Sequence, residues 1–402
     1  HPVIASILHL IFVAVYSASL APRARLFYTT YTVPLPKDRD NVFKSVAVSD
    51  FRGIAISSVL SKLFENCLLI SFVSYLTTKG NQFAYKRRVG CNHAIYVARK
   101  YIDNAVLNGA TANICGLDVA KAFPSVCHNK LFTILMDRCL PVNFVAILEH
   151  WFLNSITCIR WCEVYSSSFP LQLGILQGSV LAPALFSIYI GNLINRVSES
   201  LGSSGIILAF ADDILLITRS IHRLQLCIAM VCEELTAVAL TLNIGKSMIC
   251  RVGKRFNVRC ASVTANGNPI KYVEQMRYLG VYLISGRKFA ADFTNAKRKF
   301  SRVVNAIIAK VGTRASESVA IQLVCAQGLP ILLYGCEALA PSKAACHTFD
   351  FYFYRFLFKL LRTGSRAVVD ETLLACGADI PSIAVRKRTE NFVVGFRYTP
   401  GI

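Results

Sequence analysis

The sequence predicts an α+β body followed by a helical appendage. Up to about residue 285, short apolar runs of strand character alternate with segments whose apolar residues recur at helical spacing. After Gly286 only helical patterns remain, which separates an α+β part from a helical one. Apolar residues make up 54% of the 402, so there is ample material for a core.

Taken in order, residues 1–20 read as a helix and Tyr31–Leu35 as a strand stopped by Pro34 and Pro36. Asn41–Asp50 is polar and turn-rich. Ile56–Leu76 reads as a helix with Val59, Leu60, Leu63, Cys67 and Leu68 on its apolar stripe and Lys62 and Glu65 off it. Helices are expected at Ala94–Val106, Leu131–Leu140, Val145–Leu153 and Ser179–Val197, and a short apolar run at Ile114–Val119. Gly205–Thr218 reads as a strand pair broken by Asp212-Asp213. A helix over 221–240 precedes strands at Leu240–Val252 and Tyr278–Ile284. Helices follow at Phe289–Val311, Ser316–Leu329 and Thr348–Leu361, and the last forty residues are weakly patterned.

Lysine and arginine number 44 against 23 acidic residues, a formal charge of +21. An excess of this size argues for a polyanionic partner, nucleic acid first. The plainer alternative is a basic, poorly soluble fragment. The 15 cysteines show no C-x2-C spacing, so neither a zinc hook nor a disulfide framework is expected, and they suit a reducing compartment. Val3–Leu20 is long enough to suggest a membrane span, but serines and small residues interrupt it, and a buried helix fits as well. No stable membrane association is expected. The chain starts at His1, which reads as a piece of a longer frame.

Three features carry chemistry. Asp212-Asp213 lies between two apolar runs, where two anions are costly unless a cation neutralises them. An ordinary Asp-Asp turn is the competing reading. Asp118 ends the run Ile114–Leu117 at a strand-to-helix junction, where an aspartate also serves as a helix cap. Three such carboxylates can hold two Mg²⁺ ions about 3.5–4 Å apart, with substrate phosphates completing the shells. Between them, Gly174 and Gly178 allow close backbone approach, and Gln177 offers a donor and an acceptor. Taken alone, that loop reads equally as the cap of the next helix.

In this order and spacing, Asp118-x4-Phe123, Gln177-Gly178-Ser179-x3-Pro183 and Phe210-Ala211-Asp212-Asp213 resemble motifs A, B and C of reverse transcriptases. The string Gly174–Pro183 resembles the polymerases of non-LTR (LINE-type) retrotransposons. Further similar strings are Val33–Lys37, Phe51–Ile56, Lys62–Glu65, Asn81–Tyr85, Leu242–Ser247, Tyr278–Val281 and Leu333–Glu337, and the resemblance covers roughly residues 23–340. It implies a right-hand polymerase: fingers over 1–110, palm with remaining fingers elements over 111–285, and a helical thumb with the C-terminal segment over 286–402.

The resemblance also implies roles. Asp118 and Asp212 would be the principal ligands of two Mg²⁺ (or Mn²⁺) ions, with Asp213 the supporting carboxylate. Phe123 would lie under the incoming sugar and select deoxynucleotides. Gln177 and Gly178 would meet the nucleotide or template base. Lys37 and Arg52 would bind the triphosphate, where a guanidinium suits phosphate geometry. Lys246 would steady the pyrophosphate, although a solvated lysine reads almost as well. Lys297, Lys299, Arg302 and Lys310 fall in the expected thumb, either on a phosphate-facing stripe or on a merely solvated face. Partners would be an RNA template, a DNA primer and dNTPs, with a ribonucleoprotein in nucleus and cytoplasm as the setting. Gly53 stands where the family has proline, Ala84 where it has glycine, and Ala182 where it has serine or glycine. These departures fit an ageing copy, so a catalytically inactive nucleic-acid-binding remnant is the alternative.

Overall fold

The computed structural model describes residues 2–18, 25–37, 47–78, 80–311 and 316–399. Expectations for residues 19–24 and 41–46 lie outside that set. The chain divides into two units: His1–Lys86 with Asp118–Ser200 and Ile228–Asn243, and Arg87–Leu117 with Leu201–Cys227 and Ile244–Ile402.

The first unit is built on a five-stranded mixed sheet. Thr29–Pro36 runs antiparallel to Phe51–Ile56 and parallel to Ile156–Trp161, which in turn pairs with Val164–Tyr165 and Phe169–Pro170. Contrary to expectation, neither proline stops the first strand: Pro34 pairs with Gly53 and Pro36 with Phe51. The parallel partner covers only Thr29–Thr32. Beyond it no strand among the described residues pairs on that side, where a missing N–H costs nothing.

Helix Val59–Ser71 starts at Ser58, whose Oγ accepts the Ser61 N–H at 3.1 Å. The face it buries is Ser61, Phe64, Glu65 and Leu68. This corrects the stripe expected from sequence, since Val59 is 81% exposed, Leu60 38% and Leu63 39%. Phe64 stacks on Trp151 of helix Val142–Asn154 at 5.6 Å and meets Phe27 edge-on at 6.2 Å. The expected helix Ser179–Val197 starts late, at Ala182, after a bend at Val180–Leu181, and divides at Ile190 into two helices, Ala182–Tyr189 and Gly191–Leu201.

The second unit holds a five-stranded sheet in the order Lys271–Tyr272, Met248–Val252, Ala112–Asp118, Asp213–Thr218, Gly205–Phe210. The strand expected over Leu240–Val252 is confined to Met248–Val252, the turn Ile244–Lys246 preceding it. Helix Cys91–Leu107 lies against strands Gly205–Phe210 and Asp213–Thr218. Tyr278–Ile284 is not one strand but a hairpin, Gln275–Tyr278 with Val281–Ile284. Leu279 (φ 42°) and Gly280 (φ 86°) are both left-handed, the geometry of a tight two-residue turn.

The expected helix from Phe289 starts late. Ala290–Asp292 first adds a third strand, and the Asp292 carboxylate then accepts the Thr294 N–H at 2.8 Å where helix Thr294–Val311 opens. The core beyond it gathers Phe300, Val304, Ile307, Leu332, Phe349, Phe353 and Leu357. Ser316–Leu329 contains a π-helical turn, Val324–Gly328. The weakly patterned end is helical, Arg366–Ala375 and Pro381–Arg397, held in that core by a few side chains such as Val369, Leu373 and Val385. Among the described residues no helix is long and apolar enough to cross a membrane.

Candidate active site

Strands Gly205–Phe210 and Asp213–Thr218 pair antiparallel from Gly205↔Thr218 to Phe210↔Asp213. That register leaves Ala211 and Asp212 as a two-residue turn, with Ala211 left-handed at φ 55°. Ile207, Leu208, Ala209, Ile214, Leu215 and Leu216 are buried, so the hairpin is anchored from both faces and its turn is held at the sheet end. Asp213 opens the return strand and is exposed; Asp212 is half-buried.

Asp118 closes strand Ala112–Asp118, the neighbour of Asp213–Thr218 in the sheet. At the far end Asn113 Nδ2 donates to the Thr218 carbonyl at 3.3 Å. The two strands are therefore antiparallel, and the first runs through Leu117 toward the sheet edge that bears Asp213. The Asp118 carbonyl accepts the Asn243 N–H at 2.8 Å, which fixes the chain where it leaves the sheet.

A residue that sequence reasoning left in the hairpin motif sits beside Asp213. The Tyr278 hydroxyl is fully enclosed and has no hydrogen-bond partner among the described residues. Burial, then the Asp213 charge and Cys91, push its pKa up. Only its place in the Tyr278–Val281 string hinted at it.

The loop residues belong to the first unit. Phe123 opens a short 3₁₀ turn, and its ring stacks on Phe186 at 4.6 Å and 16°. The Phe123 carbonyl accepts the Ile175 N–H at 3.0 Å, tying the turn to the segment that carries Gln177. The Gln177 carbonyl accepts the Ala55 N–H at 2.7 Å. Gly178 has φ +123°, and a Cβ there would fall on the Ala55 carbonyl oxygen. Arg52 is exposed on the same strand as Ala55, opposite Leu35, two residues before Lys37. One unit thus brings together Lys37, Arg52, Phe123, Gln177 and Gly178. Lys246 is exposed in the turn before Met248–Val252, in the second unit.

Behind the loop lies Glu65, which sequence reasoning placed off the buried face. Its Oε2 accepts the Ser179 hydroxyl at 2.5 Å, the Val180 N–H at 2.5 Å and the Leu181 N–H at 2.9 Å. Burial raises its pKa, against the pull of those three bonds and of Lys62. The sequence signal was an acid inside the run Leu63-Phe64-Glu65-Asn66-Cys67-Leu68-Leu69.

Of the cations expected in a thumb, Lys299, Arg302 and Lys310 are exposed on the face of helix Thr294–Val311 away from Phe300, Val304 and Ile307. Lys297 differs: its Nζ lies over the Tyr352 ring, 5.9 Å from the centroid. Among the described residues no group of three or more His, Cys, Asp or Glu is arranged to hold a metal ion.

The whole chain is similar in fold to apo telomerase from Candida Tropicalis, with a TM-score of 0.51 and 13% identity over 98% of this chain and 74% of that one. This is the right-hand polymerase fold, α+β. Within it, the chain belongs to the reverse transcriptase (RNA-dependent DNA polymerase) family, whose model matches residues 36–283. Its relatives are proteins of non-LTR mobile elements. It is 24% identical over 252 residues to the Retrovirus-related Pol polyprotein from type-2 retrotransposable element R2DM of Drosophila melanogaster, covering 59% of this chain and 24% of that protein. It is 25% identical over 259 residues to the RNA-directed DNA polymerase from mobile element jockey of Drosophila funebris, covering 61% and 28%. To the probable RNA-directed DNA polymerase from transposon X-element of Drosophila melanogaster it is 23% identical over 305 residues, covering 72% and 33%. The chain thus spans about a quarter to a third of the length of these relatives.

Proposed function

We propose that this chain extends a DNA primer on an RNA template, joining the primer 3′-oxygen to the α-phosphorus of a dNTP and releasing pyrophosphate. The observation that carries the reading is the rigid hairpin whose turn presents Asp212 and Asp213 at the end of the sheet, beside the strand that leads to Asp118.

Carboxylate oxygens are the hard donors that Mg²⁺ and Mn²⁺ prefer, and Asp118, Asp212 and Asp213 would hold two such ions together with the nucleotide phosphates. Bound there, the metals would lower the pKa of the attacking hydroxyl and neutralise charge on the leaving group. The chain's own residues orient the substrates. Arg52 and Lys37 meet the triphosphate with cationic donors. Phe123, braced by Phe186, would lie under the sugar and exclude a 2′-hydroxyl. Gln177 and Gly178 define the backbone surface against which the base pair is read.

Primer extension on poly(rA)/oligo(dT) with Mg²⁺ or Mn²⁺ tests this. Asp212→Asn keeps the shape and removes the charge, and should lower the rate by a factor on the order of 10³ or more, the scale on which electrostatic groups act in such sites. Undiminished extension by that variant would rule the mechanism out.

One observation favours a second reading, that of an inactive nucleic-acid-binding remnant. Gly53, next to Arg52, replaces the family's proline and pairs with Pro34 in the sheet. The loss of that ring gives the Arg52 backbone more freedom in the unfolded chain. Template–primer binding without any extension by the wild-type chain would decide for this reading.

A further inference from the structure

Glu65 is the one acid on the buried face of helix Val59–Ser71, 4% exposed. Its neighbour Phe64 is locked by Trp151, Phe27 and Phe12, so the helix cannot turn the carboxylate away without breaking an aromatic core. All three groups it meets donate to one oxygen, and they come from consecutive residues of one turn, Ser179, Val180 and Leu181. The Ser179 hydroxyl also accepts the Ala182 N–H at 3.3 Å, so the same carboxylate fixes the start of helix Ala182–Tyr189.

From the front the loop is held differently. Ala55 donates its N–H to the Gln177 carbonyl, and Gly178 lies against the Ala55 carbonyl. Gln177 and Gly178 are therefore clamped between strand Phe51–Ile56 on one side and Glu65 on the other. The space behind the loop is not completely filled. A small cavity of about 40 Å³ lies there, lined by Glu65, Ser57, Trp151, Ile175, Ser179 and Leu185 among others. The Ser57 hydroxyl is enclosed there and has no hydrogen-bond partner among the described residues. Packing behind the loop is thus incomplete, and the hydrogen bonds to Glu65 are its polar attachment on that side.

We propose that Glu65 is a positioning residue for nucleotide selection: it holds the Gln177–Gly178 loop at the height at which the incoming dNTP is read. The idea rests on the nucleotide role given above to Gln177. Glu65 touches no substrate and acts through the loop backbone. Loss of its charge leaves template–primer binding intact, since no surface cation changes, and weakens the grip on the nucleotide alone.

The test uses the full chain with a template and a dideoxy-terminated primer, so that no turnover is needed. The dTTP concentration that half-protects the ternary complex from competitor template–primer is read for wild type, Glu65→Gln, Glu65→Asp, Ser179→Ala and Gln177→Ala. Thermal unfolding is recorded for each. The expected result is a roughly tenfold rise for Glu65→Gln, a charged-hydrogen-bond loss. Glu65→Asp should recover part of it and Ser179→Ala should show a smaller rise. Binary template–primer affinity of Glu65→Gln should stay at the wild-type value. The double variant Glu65→Gln/Gln177→Ala should be no worse than Gln177→Ala, since both act on one contact.

A normal dTTP requirement in Glu65→Gln alongside a raised one in Gln177→Ala overturns the positioning role and leaves the polymerase reading standing. An equal loss of binary and ternary binding in Glu65→Gln also overturns it, as a general folding effect. A normal requirement in Gln177→Ala overturns the nucleotide role of the loop, and this inference with it.

Discussion

Gly178 and Glu65 constrain the same turn from opposite sides, and each yields a separate test. At Gly178 the backbone is in the region that L-residues avoid, and the Ala55 carbonyl occupies the place of a Cβ. Gly178→Ala should therefore cost about 1–3 kcal/mol of stability through backbone strain and displacement of strand Phe51–Ile56. Urea unfolding measures it, and a change within about 0.5 kcal/mol would show that the turn yields freely. At Glu65 the sign of the pH effect follows from burial. The folded chain holds the Glu65 proton above the ordinary value of 4.5. Its stabilising contribution is thus complete below pH 4.5 and is lost as pH rises through the folded value. The unfolding free energy of wild type minus that of Glu65→Gln should decline as pH is raised across that window. A difference that stayed flat or rose would contradict the burial argument. The two residues were not equally legible in the sequence. Gly178 stood out as a glycine in a recognisable string. Glu65 did not, because a charged residue in a helix is ordinarily assigned to the solvent side, and only the loop of a distant segment supplies the donors that let it be buried.

At the scale of elements, strong period-2 and period-3.6 patterns were readable and their interruptions were not. The hairpin Gly205–Thr218 was legible because both its strands are apolar throughout and its turn is polar. The Tyr278–Ile284 run was read as one strand because Leu279 gives no warning that it will adopt φ 42°. The terminal helix Pro381–Arg397 was missed for a different reason. It is fixed by contacts that no local pattern encodes: His93 and Tyr96 of helix Cys91–Leu107 meet Phe392 and Phe396 at ring separations from 4.8 to 5.7 Å. This cluster closes the second unit on itself, and Leu339 and Ala338 lie in the same neighbourhood through the Arg99 bond to the Ala338 carbonyl. Phe396→Ala removes the ring that stacks on His93 and should lower stability by roughly 2–4 kcal/mol, less than a fully enclosed phenylalanine because the helix is partly exposed. Loss of less than about 0.5 kcal/mol in chemical unfolding would mean that the terminal helix is only loosely docked.

Over the whole molecule the dominant fact is charge. A formal +21 is far more than folding requires, and it costs stability through self-repulsion. It is intelligible in a chain that grips a polyanion. Charge alone did not say where the polyanion lies, and the four thumb cations picked from sequence are not equivalent once folded. Lys299, Arg302 and Lys310 stand clear of the apolar stripe of helix Thr294–Val311, whereas Lys297 is spent on the Tyr352 ring. Each phosphate contact releases condensed counterion, and the logarithm of the binding constant falls with the logarithm of salt by about 0.7–0.9 per contact. Replacing Lys299, Arg302 and Lys310 together by glutamine should therefore flatten the slope of template–primer binding by about two. Lys297→Gln should leave the slope nearly unchanged while loosening the Tyr352 contact. If the triple variant keeps the wild-type slope, that helix face is solvated only. Under the proposed function the polyanion would then be held by other basic residues, such as Arg52 and Lys37 on the sheet that contacts the Gln177–Gly178 loop.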